Sequence, residues 1–430
     1  MDPDRCTITV ESLSYGGRGV GRRQDGKVVF VPMVLPGERV RVRPIREHRS
    51  YVLAELEEVL EPSSVRIVPR CEHFAVCGGC DWQHIAYLQQ MEYKQDILNS
   101  ELSRTCCDTP FESLPGVASP QEYSYRCHAT LQCDYTTEFI SGFFKKASRD
   151  IVAFDTCPVL NDAIQAILTD LRGILSRHPI YGLSSIEIHA PQDEVLVLAH
   201  CRGPISRHDL QTMHRIYDEL PIAGLSCVVH GARRRDHVLG QRFTTYDLRT
   251  GGKKMKISSG FGGFLQANMG INESLAQHVM DLSKSSEVIL ELFSGSGNFS
   301  IPLAHSAREV VSIEKNSRLT AQSKINAKKN HLDNVRFLSM DALKAVQSAA
   351  NESLVFDTVV LDPPREGARQ IMEILPETTA SRIIYISCNP TTLSRDVSLL
   401  VQAGFSLQNI KFFDMFPQTY HIESVAYLQR

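Results

Sequence analysis

The sequence predicts an α/β protein in which a parallel, doubly wound sheet is preceded by a small β-barrel and a mixed α+β middle region. Three observations carry this. From Glu287 onward, short apolar strands alternate with helical stretches, the pattern of a parallel sheet covered on both faces. Residues 5 to 60 read as closely spaced short strands broken by glycine-rich turns. Between the two regions neither period dominates.

At 430 residues the chain has room for about three domains of roughly 150 residues each. Hydrophobic residues at 43% and charged residues at 22% exclude a disordered, collagenous or coiled-coil protein. No apolar run approaches the ~18 residues of a membrane span, and the acidic start Met1-Asp2-Pro3-Asp4 lacks the features of a signal peptide. The expected location is the cytoplasm, with no membrane partner, and the chain is expected to act as a monomer. Most of its 12 cysteines are then small apolar residues rather than a disulfide framework, namely Cys6, Cys106, Cys107, Cys127, Cys133, Cys201 and Cys227.

The barrel strands are expected at Cys6–Val10, Lys27–Val31, Arg39–Val42 and Tyr51–Leu56, with Gly16–Gly21 and Leu35–Glu38 as turns. Although the net charge of the chain is −3, residues 14 to 50 hold nine Lys or Arg against three acids, a local excess of six. Arginines interleaved with glycines suggest a stripe that grips RNA phosphates; a solvated surface is the plainer alternative. The barrel is assigned to residues 1–60. In the middle part, 61–258, Ile186–His189 and Val195–Leu198 read as a hairpin, followed by a helix near Ser206 to Leu220. A helix near 85–104 is expected to pack on the catalytic domain, 259–430.

In that domain, strands are expected at Val288–Leu292, Glu309–Ile313, Val335–Phe337, Thr358–Leu361 and Arg382–Ile386, so informative residues should follow strand ends. The first strand leads into Phe293-Ser294-Gly295-Ser296-Gly297-Asn298, a glycine turn that either serves structure alone or admits a ligand. Glu314 ends the second strand, where a carboxylate can accept from a ribose diol. Without a third glycine a dinucleotide is disfavoured and S-adenosylmethionine preferred. Asp341 either reaches toward the adenine or caps a helix. Asp362-Pro363-Pro364-Arg365 forms a stiff loop after the fourth strand. Cys388, in Ser387-Cys388-Asn389-Pro390, stands at the same rim as a candidate nucleophile. Near the C-terminus, His421 and Glu423 flank Ile422; if Ile422 faces the core, both point toward the site and Glu423 is a candidate base.

Cys71, Cys77, Cys80 and Cys157 supply four thiolates, the number that an iron–sulfur cluster uses, with structural zinc as the alternative. With these motifs in order, the chain resembles the RNA uracil-C5 methyltransferase family, and within it the iron–sulfur-containing branch that modifies large-subunit ribosomal RNA. The resemblance runs nearly end to end and includes a TRAM-type barrel, Gly142-Phe143-Phe144-Lys145 and Phe264-Leu265-Gln266-Ala267-Asn268. It implies Cys388 as nucleophile, Glu423 as base, and Gln266, Phe293, Asn298, Glu314, Asp341 and Asp362 around S-adenosylmethionine, with Asp362 also bordering the uracil in a catalytic role. It implies Cys71, Cys77, Cys80 and Cys157 as ligands of a [4Fe-4S] cluster. Ser294 and Gln418 depart from the family's common Cys and His. The expected activity is methylation of uridine C5 in 23S ribosomal RNA. The alternatives are the same reaction on transfer RNA, or an iron–sulfur redox or RNA-binding protein that transfers no methyl group.

Overall fold

The computed structural model describes residues 5–104, 110–135, 138–230 and 237–430. Alternating apolar and polar residues close five strands, Cys6–Leu13, Arg18–Arg22, Val28–Pro32, Arg39–Glu47 and Tyr51–Glu61, into a barrel. Ile8, Val10, Val29, Val31, Val40 and Val52 fill its interior, and the arginines between them point outward. A Cβ at Gly19 would lie 2.2 Å from the Val34 side chain. At this position the glycine makes room for the barrel's own core rather than for RNA.

The expected positive excess is also mostly compensated. Arg39, Arg41 and Arg43 pair with Glu61, Glu58 and Glu55 across the antiparallel ladder, and Arg23 and Lys27 pair with Glu47. Three of these glutamates lie just beyond the interval in which the excess was counted. Among the described residues, Arg18, Arg46 and Arg49 are exposed and form no ion pair. These three remain for an anionic partner.

A seven-stranded sheet follows, in the spatial order His237–Gly240, Gly224–His230, Leu196–Arg202, Leu183–His189, His128–Asp134, Ile140–Phe144 and Ile151–Ala153. The expected hairpin is present as Leu183–His189 against Leu196–Arg202, and the expected helix as Arg207–Glu219. One face of the sheet shares an apolar core with helices Asp162–Arg177 and Arg207–Glu219. Cys133, Cys201 and Cys227 lie in that core as small apolar residues, and Cys127 is buried in a neighbouring one. Cys106 and Cys107 lie outside the described residues.

The largest sheet orders its strands Val335–Ser339, Glu309–Glu314, Val288–Leu292, Phe356–Leu361 and Thr379–Ser387, all parallel, then Glu423–Gln429, which is antiparallel to the strands on either side of it, followed by Ser406–Phe413 and the short Glu112–Ser113. Strand order reverses between Val288–Leu292 and Phe356–Leu361, which opens a crevice at their carboxyl ends. Helix Tyr87–Ser103 buries Ile97, Leu98 and Leu102 in one core with Leu393, Val397 and Leu400 of helix Pro390–Gln402. Leu35 and Tyr15 of the barrel join the same core. Among the described residues, no helix is long and apolar enough to cross a membrane.

Candidate active site

Three loops meet at the carboxyl rim of the large sheet. Cys388 follows strand Thr379–Ser387, and Asn389 then caps the next helix, its side chain accepting from the Thr391 N–H. Asp362 follows strand Phe356–Leu361 and enters the double-proline turn. The Asn389 amide and the Thr392 hydroxyl both donate to the Arg365 carbonyl, at 3.0 and 3.1 Å. Asp396 accepts from the Ala368 N–H and the Tyr385 hydroxyl, each at 2.7 Å. The Asp362 and Cys388 loops are thus bound into one unit. Glu423 opens strand Glu423–Gln429, whose register pairs Ser424 with Ser387, so Glu423 and Cys388 stand side by side at the strand ends. Ile422 is fully buried in the core, as the expected alternation requires.

The electrostatics of this corner are unusual. Burial pushes Glu291 up to about 8 and Asp362 up to about 7, and holds Glu423 well above the usual carboxylate range. The Cys388 thiol is raised to about 11, first by burial and then by the charges of Glu423 and Asp362, with Arg365 opposing. Burial lowers His421 to about 4, so it is neutral near pH 7. A cationic ligand beside these carboxyls would draw them toward their charged forms.

At the glycine turn, Gly295 donates to Glu314 Oε2 at 3.0 Å and the Asn316 N–H to Oε1 at 2.7 Å, which fixes the carboxylate. Phe293 holds a left-handed φ of 63° and lines a groove of about 490 Å³ with Asp341, Pro364 and Gly367. The Ser294 hydroxyl and Glu291 Oε1 are buried without a partner among the described residues, and a Cβ at Gly295 would touch nothing. The turn therefore has open space at Gly295 and, among the described residues, a hydroxyl without a hydrogen-bond partner at Ser294, with a second unpaired oxygen on Glu291 in the strand before it. Asp341 also caps helix Ala342–Asn351 and pairs with Lys315 at 3.1 Å. Asn298 and Gln266 do not line this groove. Asn298 exchanges amide hydrogen bonds with Asn272, and the Gln266 carbonyl accepts from the Cys127 thiol.

Sequence reasoning missed several contacts. The Tyr15 hydroxyl of the barrel donates to the Cys388 carbonyl at 3.1 Å, and its ring meets Tyr420 edge-on at 5.7 Å. No local pattern marks a tyrosine 373 positions from the thiol. Lys94 and Asp414, both fully buried, pair at 2.5 Å and anchor the segment leading to His421 and Glu423. Gln418 has a left-handed φ of 67° and exchanges two 3.0 Å hydrogen bonds with Gln90; its carbonyl accepts from Asp81 and Trp82. The four cysteines Cys71, Cys77, Cys80 and Cys157 line one cavity of about 600 Å³ that Arg365, Thr419, Tyr420 and His421 also line. Motif order separates the cysteines from the Cys388 corner. The fold brings them to a shared wall.

The doubly wound sheet, with a glycine turn after its first strand and a thiol at its carboxyl rim, has the Rossmann-like architecture of a methyltransferase fold. Residues 86–430 match the family described as tRNA (Uracil-5-)-methyltransferase, and residues 4–56 match the TRAM domain. The chain belongs to this RNA uracil-5-methyltransferase family and is an S-adenosylmethionine-dependent enzyme. It is 33% identical over 436 residues to the 23S rRNA (uracil(1939)-C(5))-methyltransferase RlmD of Aeromonas hydrophila, covering all of this chain and 97% of the relative. Identity to the protein of the same name from Xanthomonas oryzae is 34% over 445 residues, with the same coverage. Among solved structures, the tRNA (uracil-54, C5)-methyltransferase of Pyrococcus abyssi in complex with S-adenosyl-L-homocysteine shares the fold. The TM-score is 0.76 at 23% identity, over 98% of this chain and all of that one.

Proposed function

We propose that the protein methylates C5 of a uridine in 23S ribosomal RNA, with Cys388 as nucleophile and Glu423 as base. The observation that carries this reading is the side-by-side placement of Cys388 and Glu423, with Asp362 raised in pKa beside them. Full-length similarity to the 23S enzymes favours ribosomal over transfer RNA, and such a substrate puts the protein in the cytoplasm. We assign the barrel, 1–60, to RNA contact, residues 61–258 to the cluster and RNA, and 259–430 to chemistry.

Uracil C5 becomes nucleophilic only after the Cys388 sulfur adds to C6, which places enolate character on C5. S-adenosylmethionine supplies an electrophilic methyl group. Asp362 would border both ligands and, once ionised beside a sulfonium, would stabilise its charge. Glu423 then takes the C5 proton, and the sulfur leaves C6 as the double bond re-forms. Because C6 is covered in a stacked duplex, the base must be flipped out or lie in a loop. Gln266, Phe293, Asn298, Glu314 and Asp341 are the proposed cofactor contacts. The test is mass-spectrometric mapping of 5-methyluridine in 23S RNA from a deletion strain before and after treatment with the protein. The reading requires a uridine that is unmethylated before treatment and methylated after it.

The Tyr15 contact adds a prediction. Tyr15→Phe removes one hydrogen bond to the Cys388 backbone, worth about 1 kcal/mol, so turnover should fall roughly five-fold while S-adenosylmethionine affinity is unchanged. Unaltered turnover would detach the barrel from catalysis.

For RNA grip, replacing both Arg46 and Arg49 with alanine should reduce the slope of log affinity against log salt by about two. Arg41→Ala, which removes an arginine already paired with Glu58, should change it less. Equal slopes in all variants would assign RNA binding to other surfaces.

Cys71, Cys77, Cys80 and Cys157 fit a [4Fe-4S] cluster by donor chemistry. All four thiols line one cavity, Gly79 donates to Cys77 Sγ at 3.4 Å, and Gln83 donates to Cys80. A cluster there would fasten the 71–80 loop to the segment around Cys157. Anaerobic protein should be brown with about four irons per chain, and Cys80→Ser should lose them. Stoichiometric zinc without iron would contradict the assignment.

A further inference from the structure

We propose that His128, Glu187 and His189 form a binding site for a divalent first-row transition-metal ion on the middle sheet, distinct from the cysteine cavity. The strand register creates the site. His128 stands directly opposite His189 where His128–Asp134 pairs with Leu183–His189. Glu187 lies two residues before His189 and so shares its face. His200, on the next strand, is paired with Ser185 and completes the same face. The opposite face, with Ile186, Ile188, Ala129 and Leu131, belongs to the apolar core.

The ligand atoms of His128, Glu187 and His189 all lie within 4.8 Å of one another. His189 Nε2 is 2.5 Å and His128 Nε2 3.6 Å from Glu187 Oε1, while His200 Nε2 is 3.2 Å from Oε2. Bonds of about 2.0–2.1 Å from one ion to two imidazoles and a carboxylate oxygen place these donors roughly 3.4 Å apart; the 3.6 Å separation of His128 from Glu187 is close to this, whereas His189, now hydrogen-bonded to Glu187, would have to move outward by about 1 Å to admit an ion. His128 Nε2 is buried and, 3.6 Å from Glu187 Oε1, has no hydrogen-bond partner among the described residues.

The His200 contact holds the second carboxylate oxygen, as an orienting partner does around a metal-bound carboxylate. Two imidazoles and one carboxylate leave further coordination positions for water, and an N/O set of this kind suits zinc or iron(II) rather than a cluster. The His128 and Glu187 side chains remain 29% and 14% exposed, so an ion can enter. On the same strand and face, Thr130 and Gln132 line the cysteine cavity. An ion would therefore clamp strands that form the wall of that cavity.

The test uses tag-free, full-length protein, prepared anaerobically and treated with a chelator under conditions that leave its iron content unchanged. Titration with zinc should show one site of micromolar affinity or tighter. X-ray absorption at the zinc edge should show only nitrogen and oxygen neighbours at about 2.0–2.1 Å. His128→Ala and His189→Ala should each weaken zinc binding by about ten-fold or more, with iron content and S-adenosylmethionine binding unchanged. Glu187→Gln, which keeps the side-chain shape, should do the same and guards against a folding defect in the histidine variants. Absence of zinc binding, a shell containing sulfur, or an affinity that the three substitutions leave alone would overturn the proposal.

Discussion

Replacing Cys388 with alanine is expected to abolish methyl transfer, by on the order of 10⁴-fold or more, without loss of S-adenosylmethionine binding. Without the sulfur, C5 of uracil never gains the electron density needed to attack a methyl group, and no neighbouring side chain can substitute. The substitution should spare the fold. Cys388 is only partly buried, and Tyr15 bonds to its carbonyl, which alanine retains. Asp362, Glu314 and the glycine turn also remain. Cofactor binding by calorimetry and methyl incorporation into RNA, measured on one preparation, separate the two effects. Turnover above roughly a tenth of the wild-type value would assign the nucleophile elsewhere.

Glu423→Gln should stop the reaction halfway. Glutamine keeps the shape of the side chain at the end of Glu423–Gln429, but cannot accept the C5 proton. Addition of Cys388 and methyl transfer both precede that step, so the variant should accumulate a methylated RNA–protein adduct that survives denaturation. Glu423 enters the cycle with its pKa raised by burial and by the charge of Asp362. Asp362→Asn should ease that repulsion yet weaken catalysis, because it also removes the carboxylate proposed to face both ligands. If Glu423→Gln turns over normally and traps no adduct, the base is another group.

Much of this site could be read from the chain because strand ends concentrate it. Cys388 and Asp362 each follow, and Glu314 ends, a strand of six to nine residues with an apolar centre, and in a parallel sheet such positions share one rim. Glu423 was legible for a different reason. The alternation through buried Ile422 fixed which way it points.

What sequence did not reveal depends on long-range packing. Tyr15 reaches Cys388 only because the barrel docks on helix Tyr87–Ser103 and its neighbours, and Lys94 looks like any helical lysine until Asp414 is found beside it. The basic stretch misled because a count over 14–50 stops short of the strand whose glutamates pair with it. The closeness of the cysteines to the Cys388 corner is likewise a product of the loop around Gln418, held by Gln90 from another element. Arg233, Arg234 and Arg235, a competing basic cluster, lie outside the described residues.

Methylation at C5 through a covalent adduct makes a direct demand on one atom. Large-subunit ribosomal RNA from a strain lacking the protein, labelled with tritium at uridine C5, should release tritium to water as the enzyme acts. The account predicts one tritium released for each methyl group incorporated, and none with Cys388→Ala. Methyl incorporation with the tritium retained, or no incorporation into this RNA at all, would contradict it.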